Sequence, residues 1–197
     1  MMNYHTREVG GIELVCGSMY SGKTEYLIRQ MQRYYWAGWN VRVFRASALS
    51  IQAPARQRAL TSHDGSQIEA TYINNSSQIL SLLPASTNAV AIDEVQFLDW
   101  GIADVCQILA DRGVRVIASG LDMNFRGEPF GPIPLLISIA DQVRKMRAIC
   151  EVCGHVGSRS QRLMHGRLAS YDDPVILLGA QFYQPRCRHC HRVPGRD

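Results

Sequence analysis

The sequence predicts an α/β fold with a mostly parallel sheet, carrying a phosphate-binding loop and followed by a small C-terminal lobe stapled by metal. Three observations predict it. Short apolar runs alternate with amphipathic helical segments, a GxxxxGK[ST] pattern sits between the first such pair, and two CxxC pairs fall near the C-terminus.

Each element follows from its local pattern. Residues 12–16 form an apolar run that stops at a glycine-rich turn, so they read as a buried strand. Residues 24–36 carry Leu27, Ile28, Met31, Tyr34 and Tyr35 at helical spacing, and Gly38 follows where a helix C-terminus favours glycine. A second strand is expected at 41–44. Residues 46–62 show no period and contain Pro54, which predicts a loop. A strand at 68–73, a short helix at 76–83 and a strand at 89–92 come next. A helix at 101–111 then presents Ile102, Val105, Ile108 and Leu109 on one face, and 114–118 is another buried strand. Strands alternating with helices imply right-handed parallel crossovers, and ligands in such sheets bind beyond the carboxyl ends of the strands. Near Cys150 the composition turns to Gly, Arg, His and Cys, which divides the chain into a core over 1–149 and a lobe over 150–197.

Bulk properties exclude several classes. The chain has 197 residues, of which 46% are hydrophobic and 19% charged, a globular rather than a disordered composition. No apolar run approaches the roughly 20 residues that cross a bilayer. Residues 1–10 are polar and lack a secretory core, so a soluble, cytoplasmic protein without a membrane partner is expected. The net charge of +4 is scattered along the chain. That suits a solvated surface, and no nucleic-acid partner is expected.

The phosphate site is the sharpest motif. Gly17, Ser18, Met19, Tyr20, Ser21, Gly22, Lys23 and Thr24 match the pattern at every position. The glycines let the backbone curl so that successive N–H groups face a phosphate, and the helix opening at Lys23 adds its positive end. Lys23 reaches the β- and γ-phosphates of ATP, and the Thr24 hydroxyl is a ligand for Mg²⁺. The apolar run ending in Asp93 and Glu94 supplies the carboxylates. Asp93 belongs with the Mg²⁺ shell, and Glu94 is the candidate base for an attacking hydroxyl. A surface acidic pair opening a helix is the alternative, but it leaves the phosphate loop without its usual partner.

Cys150 and Cys153 form one CxxC knuckle, Cys187 and Cys190 the other, with 33 residues between them. Four thiolates from two tight turns suit a structural tetrahedral Zn²⁺. His189 and His191 are alternative ligands. Tying the two ends of the intervening segment together lowers the entropy cost of ordering it, so 158–183 is a candidate lid over a substrate.

Several segments together resemble the type II, cellular-type thymidine kinases: GSMYSGKT with EYLIRQ, AIDEVQFLD, SGLDMNFRGEPFGPIPLL, and CEVCG through SRSQRL and ILLGAQFYQPRCRHCH. The resemblance spans about 11–192. It implies a RecA-like core with a zinc-tethered lasso, and transfer of the γ-phosphate of ATP to the 5′-hydroxyl of thymidine, with deoxyuridine as a further acceptor. It implies a homotetramer and feedback inhibition by dTTP. It makes Glu94 the catalytic base and places Met19, Leu121, Phe125 and Phe130 around the thymine. Ser160, Ile176 and Tyr183 fall at pocket positions of the lasso, where the family grips the base through backbone groups.

One segment departs from that family. Its members carry Asp-x-Arg-Tyr after the second strand, whereas here Arg45 to Gln52 read RASALSIQ, and no acidic residue lies between Phe44 and His63. Arg56 and Arg58 are candidate replacements for the arginine, and nothing replaces the aspartate. Two other classes share the motifs: a catalytically weak nucleotide-binding relative, and a nucleic-acid-stimulated P-loop ATPase.

Overall fold

A computed structural model describes residues 10–47, 56–62, 64–177 and 179–196. The chain runs through β1 (Gly11–Gly17), α1 (Lys23–Trp36), β2 (Val41–Ala46), β3 (Arg56–Thr61), β4 (Gln67–Ile73), α2 (Ser77–Leu82) and β5 (Ala89–Asp93). It continues with α3 (Ile102–Asp111), β6 (Arg115–Gly120), α4 (Ile133–Ile139) and β7 (Gln142–Met146). The sheet order is β3-β4-β2-β5-β6-β1-β7, and every pairing is parallel except β3 with β4.

Alternation along the central strands builds two apolar layers. Leu14, Phe44, Ile92 and Ala118 face α3 and α4, against Ile102, Leu109 and Leu136. Val15, Val43, Ala91 and Ile117 face α1, against Leu27, Ile28 and Met31. All seven residues of β1 are buried because strands flank it on both edges and helices cover both faces. The end of α1 meets its expectation in detail. Gly38 adopts φ 82, its N–H bonds the Tyr35 carbonyl, and the Trp39 N–H bonds that of Tyr34. The Tyr34 and Trp39 rings stack with centroids 4.8 Å apart, which is the apolar contact of such a terminus.

The topology sets the site. β6 lies between β1, which leads into the phosphate loop, and β5, which ends in Asp93. Three strand ends therefore converge on one crevice, where α/β sheets bind ligands.

The loop expected over 46–62 is corrected in part. Residues 56–61 form β3, antiparallel to β4 with Arg58 opposite Ala70 and Leu60 opposite Ile68. Leu60 is buried at 1% exposure while Arg58, Ala59 and Thr61 are exposed. A polar edge strand with one buried apolar side chain has too little periodicity to register. Ala46 closes β2, Ser47 and Ser62 lie outside the strands as expected, and residues 48–55 of that expectation lie outside the described residues. β7 escapes a periodicity reading for the same reason, since Gln142 to Lys145 are all exposed at the opposite sheet edge.

The C-terminal lobe starts with the hairpin of β8 (Ala148–Ile149) and β9 (Val156–Gly157). β10 (Arg159–Met164) then pairs antiparallel with β11 (Arg167–Leu168) and β12 (Tyr183–Arg186). The 158–183 segment is thus a hairpin framework carrying a shorter flap between β11 and β12.

Candidate active site

The phosphate loop is shaped by the close approach of backbone. Gly17 has φ 146, and a Cβ there would lie 2.2 Å from the Met146 carbonyl oxygen, so only glycine fits. Gly22 caps α1 at φ 81 with no side-chain cap, which leaves the first N–H groups of the helix free for an anion. Lys23 Nζ donates to the Ser18 carbonyl at 2.6 Å, and Ser21 Oγ donates to the same oxygen at 2.8 Å. Burial pushes the Lys23 pKa down, opposed by the nearby charges of Glu94, Asp93 and Asp122. A bound polyphosphate would meet a half-buried ammonium already held at the loop.

Thr24 and Asp93 come together as expected, with Thr24 Oγ1 3.3 Å from Asp93 Oδ2. The Asp93 side chain is 1% exposed, and its pKa rises to about 6. Burial is the main cause and the Glu94 charge the next, with Arg45, Ser119 and Lys23 pulling the other way. A hydroxyl beside a carboxylate is the hard oxygen donor set that Mg²⁺ takes, so these residues fit the ion.

Glu94 turns the chain at φ 58, in the left-handed region that non-glycine residues rarely occupy. Its Oε1 accepts from Arg45 Nη2 at 3.2 Å, while Arg45 Nη1 donates to Asp93 Oδ2 at 2.9 Å. One guanidinium thus bridges both carboxylates. Glu94 Oε2 accepts from Gln96 Nε2. Sequence reasoning missed the roles of Arg45 and Gln96. The Q of DEVQF was a signal for the second, whereas only strand pairing exposes the first, since β2 sets Arg45 opposite Asp93.

Thr24, Arg45 and Glu94 among these groups line one cavity of about 670 Å³, whereas Lys23, Asp93 and Gln96 lie outside its lining. Thr24, Arg45 and Glu94 form its polar end. Met19, Phe97, Leu121 and Phe130 form an apolar wall, with the Phe97 and Phe130 rings edge to face at 5.6 Å. The flap adds Ile176, Ala180 and Tyr183, and the far rim holds Arg58, Thr61, Ser62 and Tyr72. That volume, walled mostly by apolar groups with a few convergent polar ones, suits a nucleoside-sized ligand. Another concavity of about 480 Å³, between the end of α1 and β4, contains none of Thr24, Arg45 or Glu94 and offers no comparable chemistry.

Two of the residues expected around the base sit elsewhere. Phe125 is 2% exposed and does not line the cavity; the Arg162 guanidinium covers its ring at 3.6 Å. Its carbonyl lies 2.8 Å from His191 Nε2, so it anchors the lobe to the core. Ser160 is buried behind the wall, where its Oγ accepts the Met19 N–H at 3.0 Å. Tyr20 reaches the flap from the other side, its hydroxyl donating to the Ala180 carbonyl at 2.6 Å. Tyr183 braces the flap through a 2.9 Å bond to the Leu177 carbonyl.

The sulfur atoms of Cys150, Cys153, Cys187 and Cys190 all lie within 4.8 Å of one another, with Cys153 and Cys187 3.6 Å apart. A tetrahedron of Zn–S bonds of about 2.3 Å needs sulfurs just under ~4 Å apart, so the set fits Zn²⁺. His189 and His191 are not among the clustered ligands. No helix among the described residues is long and apolar enough to cross a membrane. A family model described as thymidine kinase matches residues 10–191.

Proposed function

This chain belongs to the thymidine kinase family, and from that premise we propose that it transfers the γ-phosphate of ATP to the 5′-hydroxyl of thymidine. The observation that carries the reading is the single cavity in which Thr24 and Glu94 face an apolar wall of Met19, Leu121 and Phe130. The wall takes a flat base, and the polar end takes the sugar hydroxyl and the phosphate.

In this reading the loop from Gly17 to Thr24 cradles the triphosphate through backbone N–H groups. Lys23 leaves the Ser18 carbonyl and pairs with the β- and γ-phosphates. Mg²⁺, held by Thr24 and Asp93, would neutralise charge on the phosphate oxygens. Glu94 accepts the proton of the 5′-hydroxyl as its oxygen bonds to the γ-phosphorus and the bond to the β-phosphate oxygen breaks, leaving ADP and dTMP. Gln96 and Arg45 hold Glu94 at the cavity floor. The zinc-anchored flap covers the nucleoside and excludes water, which would otherwise accept the phosphoryl group.

The reading carries further proposals from the family: deoxyuridine as a second acceptor, a role in DNA-precursor salvage, a cytoplasmic homotetramer, and inhibition by dTTP. Zinc-loaded protein incubated with ATP, Mg²⁺ and thymidine should form dTMP and ADP in equal amounts. Folded, zinc-loaded protein that forms no dTMP overturns it. The lack of an acidic residue between Phe44 and His63 favours one other reading, a nucleotide-binding relative with weak catalysis. Tight thymidine binding with negligible product in the same assay selects that reading.

A further inference from the structure

The cavity is lined by two guanidinium groups, and only one of them is engaged by carboxylates. Arg45 is committed to Asp93 and Glu94 through both terminal nitrogens. Arg58, on β3, has no ion pair among the described residues. Its guanidinium sits over the Tyr72 ring, 5.7 Å from the centroid. Tyr72 in turn lies on β4 directly opposite Arg45 of β2. The three side chains therefore form a row along one wall that leads from Glu94 to Arg58.

A transferring phosphoryl group spreads negative charge over three equatorial oxygens, and enzymes of this class meet it with cations on more than one side. Lys23 serves the side of the phosphate loop. Arg45 cannot serve the opposite side without abandoning two carboxylates. Arg58 can, because it has no ion pair among the described residues and a ring face holds it with weak attraction that a phosphate would outcompete. Its donor fork matches phosphate oxygens in a way an ammonium does not.

We propose that Arg58 is a catalytic residue that closes over the transferring phosphoryl group from the β3 edge, with Tyr72 as its resting platform. The proposal rests on the phosphotransferase reading above.

The test is single-turnover phosphorylation of thymidine at saturating Mg-ATP by the wild type, Arg58→Ala and Arg58→Lys, beside thymidine affinity and thermal midpoint. Arg58→Ala is expected to slow transfer about 100-fold, below the 10³–10⁵-fold range of a fully inserted arginine. Thymidine affinity should stay within about threefold and the thermal midpoint should hold. Arg58→Lys should recover only a small part of the rate, and added guanidinium ion should partly rescue Arg58→Ala. Transfer by Arg58→Ala within about threefold of wild type overturns the proposal, as does a loss that weaker thymidine binding or a lower midpoint fully accounts for. If Arg58→Ala does not fold, Arg58→Gln is read in its place by the same criteria. Wild-type protein that forms no dTMP overturns the parent reading and this inference with it, whereas an active wild type with an equally active variant overturns this inference alone.

Discussion

Gln96 aims Glu94. Its side-chain amide donates to Glu94 Oε2, while its Oε1 accepts the Leu121 N–H at 3.0 Å. Two glycines close in on Gln96, Gly120 on its side-chain amide and Gly131 on its main chain. A Cβ on Gly120 would lie 2.6 Å from Gln96 Oε1, and one on Gly131 would lie 2.3 Å from the Gln96 carbonyl oxygen. One buried side chain therefore links Glu94, just past the end of β5, to the loop whose Leu121 walls the cavity. Replacing Gln96 by Leu should cut kcat about 10-fold with ATP affinity unchanged, because the carboxylate survives but loses its direction. Glu94→Gln removes the proton acceptor itself and should cost 10²–10⁴-fold. Steady-state kinetics beside equilibrium binding of a non-hydrolysable ATP analogue checks both, and a Gln96→Leu variant with wild-type kcat would separate Gln96 from Glu94.

The flap and the phosphate loop should bind their ligands cooperatively. Tyr20 holds the Ala180 carbonyl, Ser160 holds the Met19 amide, and Ser18 Oγ reaches the Gly157 carbonyl at 3.4 Å. Tyr20→Phe keeps the ring and deletes one hydrogen bond, a loss of about 0.5–1.5 kcal/mol, or roughly 2- to 12-fold in thymidine affinity. Calorimetric titration of thymidine with and without an ATP analogue should show tighter binding in its presence, and the variant should show less of that gain. Unchanged coupling would mean the bonds are incidental.

Zinc should matter first for the nucleoside. Its ligands sit at the two ends of the flap-bearing segment, far in sequence from Lys23. Native mass spectrometry should find one ion per chain. Cys187→Ser should abolish zinc retention and lower the thermal midpoint, with thymidine affinity falling more than affinity for an ATP analogue. The ordering of those two losses is the outcome to watch.

Acid should remove activity through Asp93. Burial and Glu94 raise its folded pKa to about 6, above an unfolded value near 3.8. A raised carboxyl pKa means the folded state binds the proton more tightly. Acidification from above about 6 toward 3.8 thus relieves a folding penalty at Asp93 while removing a ligand for Mg²⁺. Turnover should fall as pH drops through about 6, and excess Mg²⁺ should move that midpoint lower by competing with the proton. Over the same interval, Asp93 should not lower the thermal midpoint of ligand-free protein. Asp93→Asn should lose turnover at all pH values yet melt no earlier than wild type.

Much of the fold and half of the site were legible in the chain. The phosphate loop, Asp93 and Glu94, and the four cysteines are each local or carry a spacing that only one chemistry requires. The central strands were legible because both their faces are buried. β3 and β7 were not, since an edge strand is polar wherever it meets water. Arg45 reads in sequence as the start of an altered loop, yet Asp93 stands opposite it on β5 and Glu94 follows directly. Phe125, expected at the base, packs instead under Arg162, because an aromatic side chain carries no mark of whether a ligand or a guanidinium will cover it.

The amino-acid order by itself determined the GxxxxGK[ST] loop, the two CxxC pairs and the alternation that sorts the sheet into two apolar layers. These depend on neighbours a few residues apart, where backbone geometry leaves few choices. The tertiary structure alone decided which side chains answer Glu94, Arg45 through the β2–β5 register and Gln96 from a site closed in by glycines, and it alone set Arg58 of an edge strand beside Tyr72 on the wall of the same cavity. Such contacts are set by strand order and sheet twist, which no short window of sequence contains.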